Sequence, residues 1–379
     1  MYYKSDWDKA KKRVEAFWEG EIIDRCCVAV FSPRKTSKMP PFPELQLGPF
    51  LAGLEHFSDD DEESIKKWWA DPEGIYNRMI FWFENTYFGG EAIPAQDLNW
   101  GAMSMAAFYG SEPKFTKKTV WYPKVIEDWK SWNWTSNPKE NKYWKQLKDI
   151  VELLVNRCDE RYFVSTPQIG TAGDLLSLMR DMDTLSLDLF DNSEEVKKAI
   201  DIMGDTWVEF HEEFYQMTKD VNDGAGVIAW MSLWAPGRHT YLACDFSTVL
   251  SPEMFKKFFI SEIEKEGNWC EYGSYHLDGP EALYAHLDTL LEIDQIENIE
   301  WTPGIGNPPT LTQKYIPEYK KIQKKGKKLY LLAQPQEIEP LLRELSPEGL
   351  FIQTQTNSEE EADKLIKDIE KWSARKNIF

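Results

Sequence analysis

The sequence lacks the cysteine patterns that support a disulfide framework or a zinc knuckle. Its five cysteines are Cys26, Cys27, Cys158, Cys244 and Cys270, an odd number with no Cys-x-x-Cys spacing. Such a set is typical of free thiols that pack in a protein interior. Neither disulfide bonds nor a cysteine-based metal site is therefore expected.

Long apolar stretches are also missing. The first residues, Met-Tyr-Tyr-Lys-Ser-Asp-Trp-Asp-Lys, contain no apolar core of a signal peptide. No later stretch approaches the roughly 20 apolar residues that a membrane span needs. We expect a cytoplasmic protein with no membrane association.

Positive charge is scarce. The chain has 44 Lys and Arg against 64 Asp and Glu, for a net charge of −20. Nucleic acids and anionic membranes bind concentrated positive charge, so neither is expected as a partner, and polyanionic substrates are disfavoured. With 42% hydrophobic and 28% charged residues, the composition is that of a soluble globular protein.

Aromatic residues, in contrast, are abundant. The 17 Trp are concentrated in the first 150 residues, where the segment 40–143 has an irregular pattern interrupted by Pro40-Pro41-Phe42-Pro43 and Gly89-Gly90. Long ordered segments of this kind usually form lids or pocket walls. We expect an aromatic-lined pocket, and flat aromatic faces suit sugars, planar rings and quaternary ammonium groups alike.

Strand and helix patterns alternate clearly from about residue 144 onward. Buried strands are predicted over 25–31, 162–165, 226–231, the residues up to 278, 296–301, 328–334 and 349–356, with amphipathic helices between them. A helix is predicted from Asp174 toward Leu189, a loop over 234–245, and helix starts at Ser251-Pro252 and Ser358. Repeated βα units favour a closed parallel barrel. The predicted fold is therefore α/β, a TIM-type (β/α)8 barrel in one domain over residues 1–379, with residues 40–143 as an insertion over the barrel mouth.

The segment Tyr275-His276-Leu277-Asp278-Gly279-Pro280 ends one of these strands and precedes an amphipathic helix. Catalytic residues of parallel barrels lie at the carboxyl ends of the strands. In an extended segment, His276 and Asp278 point to the same side because they are two residues apart. This pair is the predicted centre of the active site.

Other polar and aromatic residues are predicted to gather at the same edge. Asp245 and Glu300 join the pair as candidate catalytic residues, although Asp245 could instead cap a helix. The strand period of two lets only one of Glu300 and Trp301 face inward. The candidate substrate-binding residues are Arg238, Trp234, Trp301, Asp174, Gln334 and Gln355. Arg238 could hold a substrate carboxylate or form a salt bridge with Asp245.

Several motifs resemble the uroporphyrinogen decarboxylase-like superfamily, in particular its branch related to corrinoid-dependent methyltransferases. These motifs are Asp24-Arg25, Gly173-Asp174-Leu-Leu, Asp245-Phe-Ser-Thr-Val-Leu-Ser-Pro252, His276-Leu-Asp-Gly279 and Trp301-Thr-Pro-Gly304. The resemblance implies a TIM-type barrel and a methyltransferase-like activity on a small molecule. Because the chain has no Asp-x-His-x-x-Gly corrinoid motif, a corrinoid would have to come from a separate protein.

The resemblance also bears on metal binding. In the methyltransferases a His-x-Cys-like motif and a later Cys hold zinc. Here His276 matches, Asp278 occupies the first Cys position, and the last strand offers Gln353, Thr354, Gln355 and Thr356. Zinc or another divalent metal could be held by His276 and Asp278, with no third ligand evident.

Activity on uroporphyrinogen itself is not expected. The decarboxylases carry an Arg-rich segment near the amino terminus that holds the substrate carboxylates, and this chain has Phe31-Ser-Pro-Arg-Lys35 instead. Two other functions remain open on the residues alone. One is a carbohydrate-active or lyase-type enzyme that uses paired carboxylates such as Asp245, Asp278 and Glu300. The other is a non-catalytic barrel that binds a small molecule.

Overall fold

The computed structural model describes residues 1–38, 54–134, 138–304 and 313–374. The helices are α1 (Trp7–Trp18), α2 (Glu62–Ala70), α3 (Pro72–Asn85), α4 (Met105–Phe108), α5 (Lys142–Asn156), α6 (Ala172–Arg180), α7 (Met182–Asp191), α8 (Ser193–Thr218), α9 (Pro252–Phe258), α10 (Ile260–Trp269), α11 (Gly279–Leu290), α12 (Ile316–Lys324), α13 (Pro335–Glu344) and α14 (Glu359–Ser373). The strands are β1 (Cys27–Pro33), β2 (Thr86–Gly90), β3 (Ala95–Gln96), β4 (Lys114–Phe115), β5 (Val120–Trp121), β6 (Phe163–Val164), β7 (Gly226–Ile228), β8 (Leu233–Ala235), β9 (His239–Ala243), β10 (Tyr272–Asp278), β11 (Asn298–Thr302), β12 (Lys328–Leu332) and β13 (Leu350–Gln355).

A mostly parallel sheet of seven strands forms the centre of the fold. Its order is β2-β1-β13-β12-β11-β10-β9, and every neighbouring pair is parallel except β1 and β2. Helices connect the consecutive strands from β9 to β13 and cover the sheet, so β12 and β13 are almost entirely buried. Burial on both faces explains why these strands read as continuous apolar runs.

Within the described residues, this sheet does not close on itself. β3 pairs in parallel with β6 and β7 pairs antiparallel with β8, each as a separate two-stranded sheet. β3 and β6 have only two residues each, and the residues after β6 contact β7 through a few hydrogen bonds, such as Thr166 N to Val227 O at 3.4 Å, without forming a strand pair. The structure therefore confirms an α/β fold built on a mostly parallel sheet. It does not confirm the predicted closed eight-stranded barrel.

Two predicted loop regions contain strands of these sheets. β2 lies inside the predicted insertion, yet it joins the main sheet beside β1, while residues 40–53 and 135–137 of that insertion fall outside the described part of the chain. The segment 234–245 was expected to be a loop, but it contributes to β8 and forms β9, which pairs with β10. β9 reads His-Thr-Tyr-Leu-Ala, and its β-branched and aromatic residues favour a strand.

Capping residues set several helix starts as the sequence predicts. Ser251 accepts a hydrogen bond from Met254 N at 3.3 Å and is followed by Pro252 at the first helical position. Ser358 accepts from Glu361 N at 3.2 Å. The helix expected between residues 174 and 189 is divided in two at Asp181, whose φ is +67°. No helix in the described ranges is long and apolar enough to cross a membrane.

Candidate active site at the carboxyl ends of the strands

Three adjacent strands bring the central polar residues together. Ala243 of β9 pairs with His276 of β10, and His276 pairs with Glu300 of β11. Partners in parallel strands share one face of the sheet, so His276 and Glu300 both point inward. Asp245 follows β9 by two residues and Asp278 ends β10, which adds two carboxylates at the same edge.

His276 is bound by Glu300 through a short hydrogen bond at its Nδ1 atom. The Glu300 side chain is fully buried, whereas 18% of the His276 side chain is exposed. Burial by itself lowers the pKa of His276, but the charge and hydrogen bond of Glu300, assisted by Asp245 and Asp278, raise it to about 10. With Nδ1 occupied, Nε2 is the ring nitrogen left for a ligand.

Asp245, His276 and Asp278 form a compact cluster. One ligand atom of each lies within 4.8 Å of the others, and all three residues are partly exposed. Asp245 Oδ1 and Asp278 Oδ1 are buried atoms with no hydrogen-bond partner among the described residues. Burial raises the pKa of both aspartates while the charge of His276 opposes the rise. Asp245 is thus the third candidate ligand that the sequence alone does not reveal.

Asp174 lies directly behind the cluster, in the first turn of α6. It is buried, with Oδ1 accepting from Phe246 N at 2.9 Å and Oδ2 accepting from Thr171 Oγ1 at 3.1 Å. Burial and the nearby charge of Asp245 raise the pKa of Asp174 to about 7. Its position favours a role in holding the segment that carries Asp245 over direct contact with a ligand.

Three predicted substrate-binding residues, Trp301, Arg238 and Trp234, lie away from His276. Trp301 faces the helix layer, where its ring packs on Tyr315 at 4.4 Å, because Glu300 takes the inward position. Arg238 precedes β9, at the amino ends of the strands, and its Nε lies 3.6 Å from Glu271 Oε2. The predicted salt bridge between Arg238 and Asp245 is therefore not formed.

Trp234 is buried in β8, in contact with α1. Its carbonyl accepts from Trp18 Nε1 at 2.9 Å, and the Trp18 ring also packs on His239 and Tyr272, which begin β9 and β10. Trp234 thus lies at the opposite end of the strands from His276. The tryptophan beside His276 is Trp230, whose ring centroid is 5.4 Å from the imidazole.

The two predicted glutamines have different environments. Gln334 is the N-cap of α13, and its N–H donates to Glu337 Oε2 at 2.8 Å, so the start of a helix explains its position. Gln355 ends β13, where it pairs with Phe31 of β1 and is half-buried. Its register places it on the inward face, two residues beyond Gln353.

Four further residues of this region are not among the predicted catalytic or substrate-binding residues: Trp230, Tyr330, Gln353 and Asp97. Tyr330 pairs with Glu300 across β11 and β12, and its hydroxyl contacts Gln353 Oε1 at 2.6 Å and the carbonyl of Met231. The signal for Tyr330 and Gln353 was the strand alternation, which places them on the same face as Glu300. Nothing in the local sequence marks Trp230 or Asp97.

No protein-family model and no curated protein sequence matches this chain. Its structure is similar to that of a methyltransferase from Methanosarcina mazei, with a TM-score of 0.61 over 96% of this chain and 98% of that chain. The two sequences are 12% identical. At this identity the likeness is one of fold, and this chain has a methyltransferase-related fold.

Proposed function

We propose that this chain is a metal-dependent, methyltransferase-like enzyme that acts on a small molecule together with a separate corrinoid protein. The observation that carries the proposal is the cluster of Asp245, His276 and Asp278, whose ligand atoms lie within 4.8 Å of one another. The methyltransferase-related fold and the motif resemblance support it. We also propose that the main sheet and the short pairs β3–β6 and β7–β8 are parts of one TIM-type barrel of the uroporphyrinogen decarboxylase-like superfamily.

The residues of the cluster fit a divalent metal. Asp245 and Asp278 each have a buried oxygen without a hydrogen-bond partner among the described residues. His276 can coordinate through Nε2 once the metal displaces the proton that its raised pKa keeps there. Metal-bound histidines usually donate their other N–H to a carboxylate, which is the role Glu300 fills. One nitrogen and two carboxylate oxygens suit zinc and also harder ions such as manganese.

A bound divalent ion would lower the pKa of a coordinated substrate thiol or hydroxyl and so prepare it to accept a methyl group. The protein residues have supporting tasks. Glu300 holds the proton on Nδ1 of His276, and Asp174 fixes the backbone beside Asp245 through Phe246 N. Trp230 covers one side of the imidazole and limits the access of water.

The distance between two carboxylates of the same cluster favours a second function, that of a carbohydrate-active or lyase-type enzyme. Carboxylate oxygens of Asp245 and Asp278 lie within 4.8 Å, near the roughly 5 Å separation of the two carboxyl groups in retaining glycosidases. Burial raises the pKa of both groups, as expected for an acid and base pair. In this alternative the site needs no metal.

Metal content decides between the two functions. The natively purified protein would be analysed by elemental mass spectrometry beside His276→Ala and the control His56→Ala, an exposed histidine outside the site. Metal-dependent function predicts near-stoichiometric divalent metal in the wild type and in His56→Ala, and its loss in His276→Ala. Metal-free wild-type protein that also fails to take up added zinc or manganese would refute the proposal and favour the paired carboxylates.

The methyl transfer itself needs a separate assay. Methylated corrinoid protein has an absorption spectrum that changes on demethylation, so each candidate acceptor can be tested with the metal-loaded enzyme. We expect acceptor-dependent demethylation that His276→Ala abolishes. Ligand binding that His276→Ala leaves intact, without turnover, would instead support a non-catalytic binding protein.

A further inference from the structure

We propose that the site binds its substrate through a methylated ammonium group, held between the carboxylate of Asp97 and the aromatic rings of Trp230 and Tyr241. This inference names the substrate class of the proposed enzyme and rests on the proposed function. It comes from three features of the described residues: an oriented carboxylate, an aromatic wall, and an excess of negative charge.

Asp97 is held in place by neutral amides. It follows β3, and its Oδ1 accepts from Gln168 Nε2 at 2.8 Å. Asn99 also bonds this carboxylate, while Asn99 Oδ1 accepts from the backbone N–H groups of Gly101 and Ala102 at 2.6 and 2.8 Å. Asp97 is partly exposed, and burial raises the pKa of its carboxyl group to about 6, so this group is mostly ionised at pH 7.

Asp97 lies at the same end of the fold as the central cluster. β3 and β6 are parallel, and α6, which follows β6, places Asp174 against the backbone beside Asp245. The carboxyl ends of β3, β6 and β9 therefore face the same region. Besides burial, the charges of Asp245, Asp97 and Asp174 all act to raise the pKa of the Tyr241 phenol, so this side chain lies near the carboxylates of the site.

Aromatic rings extend from His276 toward the loop that carries Asp97, Asn99 and Ala102. The Trp230 ring is edge-to-face with both Tyr241, at 6.0 Å between centroids, and His276, at 5.4 Å. The Tyr241 hydroxyl lies 3.5 Å from the carbonyl of Ala102 and is also hydrogen-bonded to the backbone of Gly170. Aromatic faces beside carboxylates are the recurring arrangement for binding quaternary ammonium groups.

The charge of the site favours a cationic ligand. The site contains four acidic residues, Asp97, Asp245, Asp278 and Glu300. His276 is the one cation among the leading electrostatic influences on Asp245 and Asp278. Glu300 is fully buried, points at His276, and has a second oxygen without a hydrogen-bond partner among the described residues. Even if a divalent ion offset Asp245 and Asp278, Asp97 and Glu300 would keep the site negative.

A matched pair of small ligands tests this inference. Choline carries a trimethylammonium group, and dimethylbutanol is its uncharged carbon isostere. Both would be titrated into the full-length protein by isothermal calorimetry, once as purified and once after treatment with a chelator. We expect choline to bind at least about tenfold more tightly than the alcohol in both preparations, since a desolvated cation on an aromatic face gains about 1–2 kcal/mol.

Four variants locate the binding site. Asp97→Asn keeps the shape of the side chain and removes its charge, and Trp230→Leu removes the aromatic face. Each is expected to weaken choline binding about tenfold. Trp230→Phe, which keeps a face, should restore most of the affinity. The control is Glu271→Gln, which removes a carboxylate at the amino ends of the strands and should leave choline binding unchanged.

Equal binding of choline and the alcohol would overturn the inference, as would full choline affinity in Asp97→Asn and Trp230→Leu. Thermal melts show whether a variant such as Trp230→Leu has lost its fold. If it has, the conclusion is drawn from Trp230→Phe and Asp97→Asn. Failure here differs from failure of the proposed function. Choline is tested without a corrinoid protein, whereas the metal analysis requires no ammonium ligand.

Discussion

The pair of His276 and Glu300 makes a quantitative prediction. Glu300→Gln removes a buried negative charge and keeps an amide oxygen that can still accept from His276 Nδ1. In the wild type, burial acts to lower the pKa of His276, but Glu300 overcomes this effect and raises the pKa from 6.5 to about 10. A shift of this size corresponds to roughly 5 kcal/mol of preference for the imidazolium form. In the variant, we expect the pKa to fall by several units, because burial then opposes only the weaker charges of Asp245 and Asp278.

The sign of the effect on stability follows from the raised pKa. A histidine with a higher pKa in the folded state contributes stability that is fully present below its unfolded pKa of about 6.5. This contribution is lost as the pH rises through about 10. The free energy of unfolding should therefore differ most between wild type and Glu300→Gln near pH 6, by on the order of 3–5 kcal/mol, the usual result of breaking a buried ion pair. The difference should shrink as the pH approaches 10.

Nuclear magnetic resonance can follow His276 directly in chelator-treated protein. The chain has five histidines, so selective ¹³C labelling gives few signals, and His276→Gln assigns the one of interest. Urea unfolding at several pH values measures the stability. Glu337→Gln serves as the control because Glu337 is also a buried glutamate but caps α13, away from His276. A wild-type His276 pKa below about 7, or one that Glu300→Gln does not move, would refute the reasoning.

Three further predictions concern neighbouring residues. Asp174→Asn should raise the melting temperature more at pH 8 than at pH 4, because the folded pKa of Asp174 is raised to about 7, so its destabilising effect grows from the unfolded pKa of about 4 up to pH 7; equal melting shifts at both pH values would contradict this. Gly173→Ala should reduce the free energy of unfolding in urea by about 1–3 kcal/mol, since a Cβ there would lie 2.8 Å from the Phe259 ring. The matched Gly204→Ala meets only a flexible lysine side chain and should cost little, so similar losses in both would exclude the steric explanation. Asp278→Cys should increase zinc affinity relative to manganese because a thiolate prefers zinc, and competition with a chromophoric chelator measures the change.

Local patterns were sufficient for many elements of the fold. The apolar run around Val28 predicted a buried strand, and Ser251-Pro252 and Ser358 predicted helix starts that the structure contains. These features depend on neighbours within a few residues, so the sequence displays their cause. The strand end at His276 and Asp278 is of the same kind, since the period of two places both side chains on one face.

Contacts between distant segments could not be read in this way. Whether Glu300 or Trp301 faces inward depends on the register of β11 against β10, and a shift of one residue would exchange them. Arg238 seemed close to Asp245 in sequence, yet the intervening β9 strand places the two at opposite ends of the sheet.

Features that depend on neighbouring residues can thus be predicted from the sequence, whereas features that depend on contacts between distant segments require the tertiary structure. Periodicity, caps and turn residues already define the βα units and the strand end that carries His276 and Asp278. The positions of Asp245, the third candidate ligand, and of Trp230 beside His276 depend on contacts between segments tens of residues apart. Such long-range pairing is decided by the packing of whole faces against each other, which no single segment of the chain specifies.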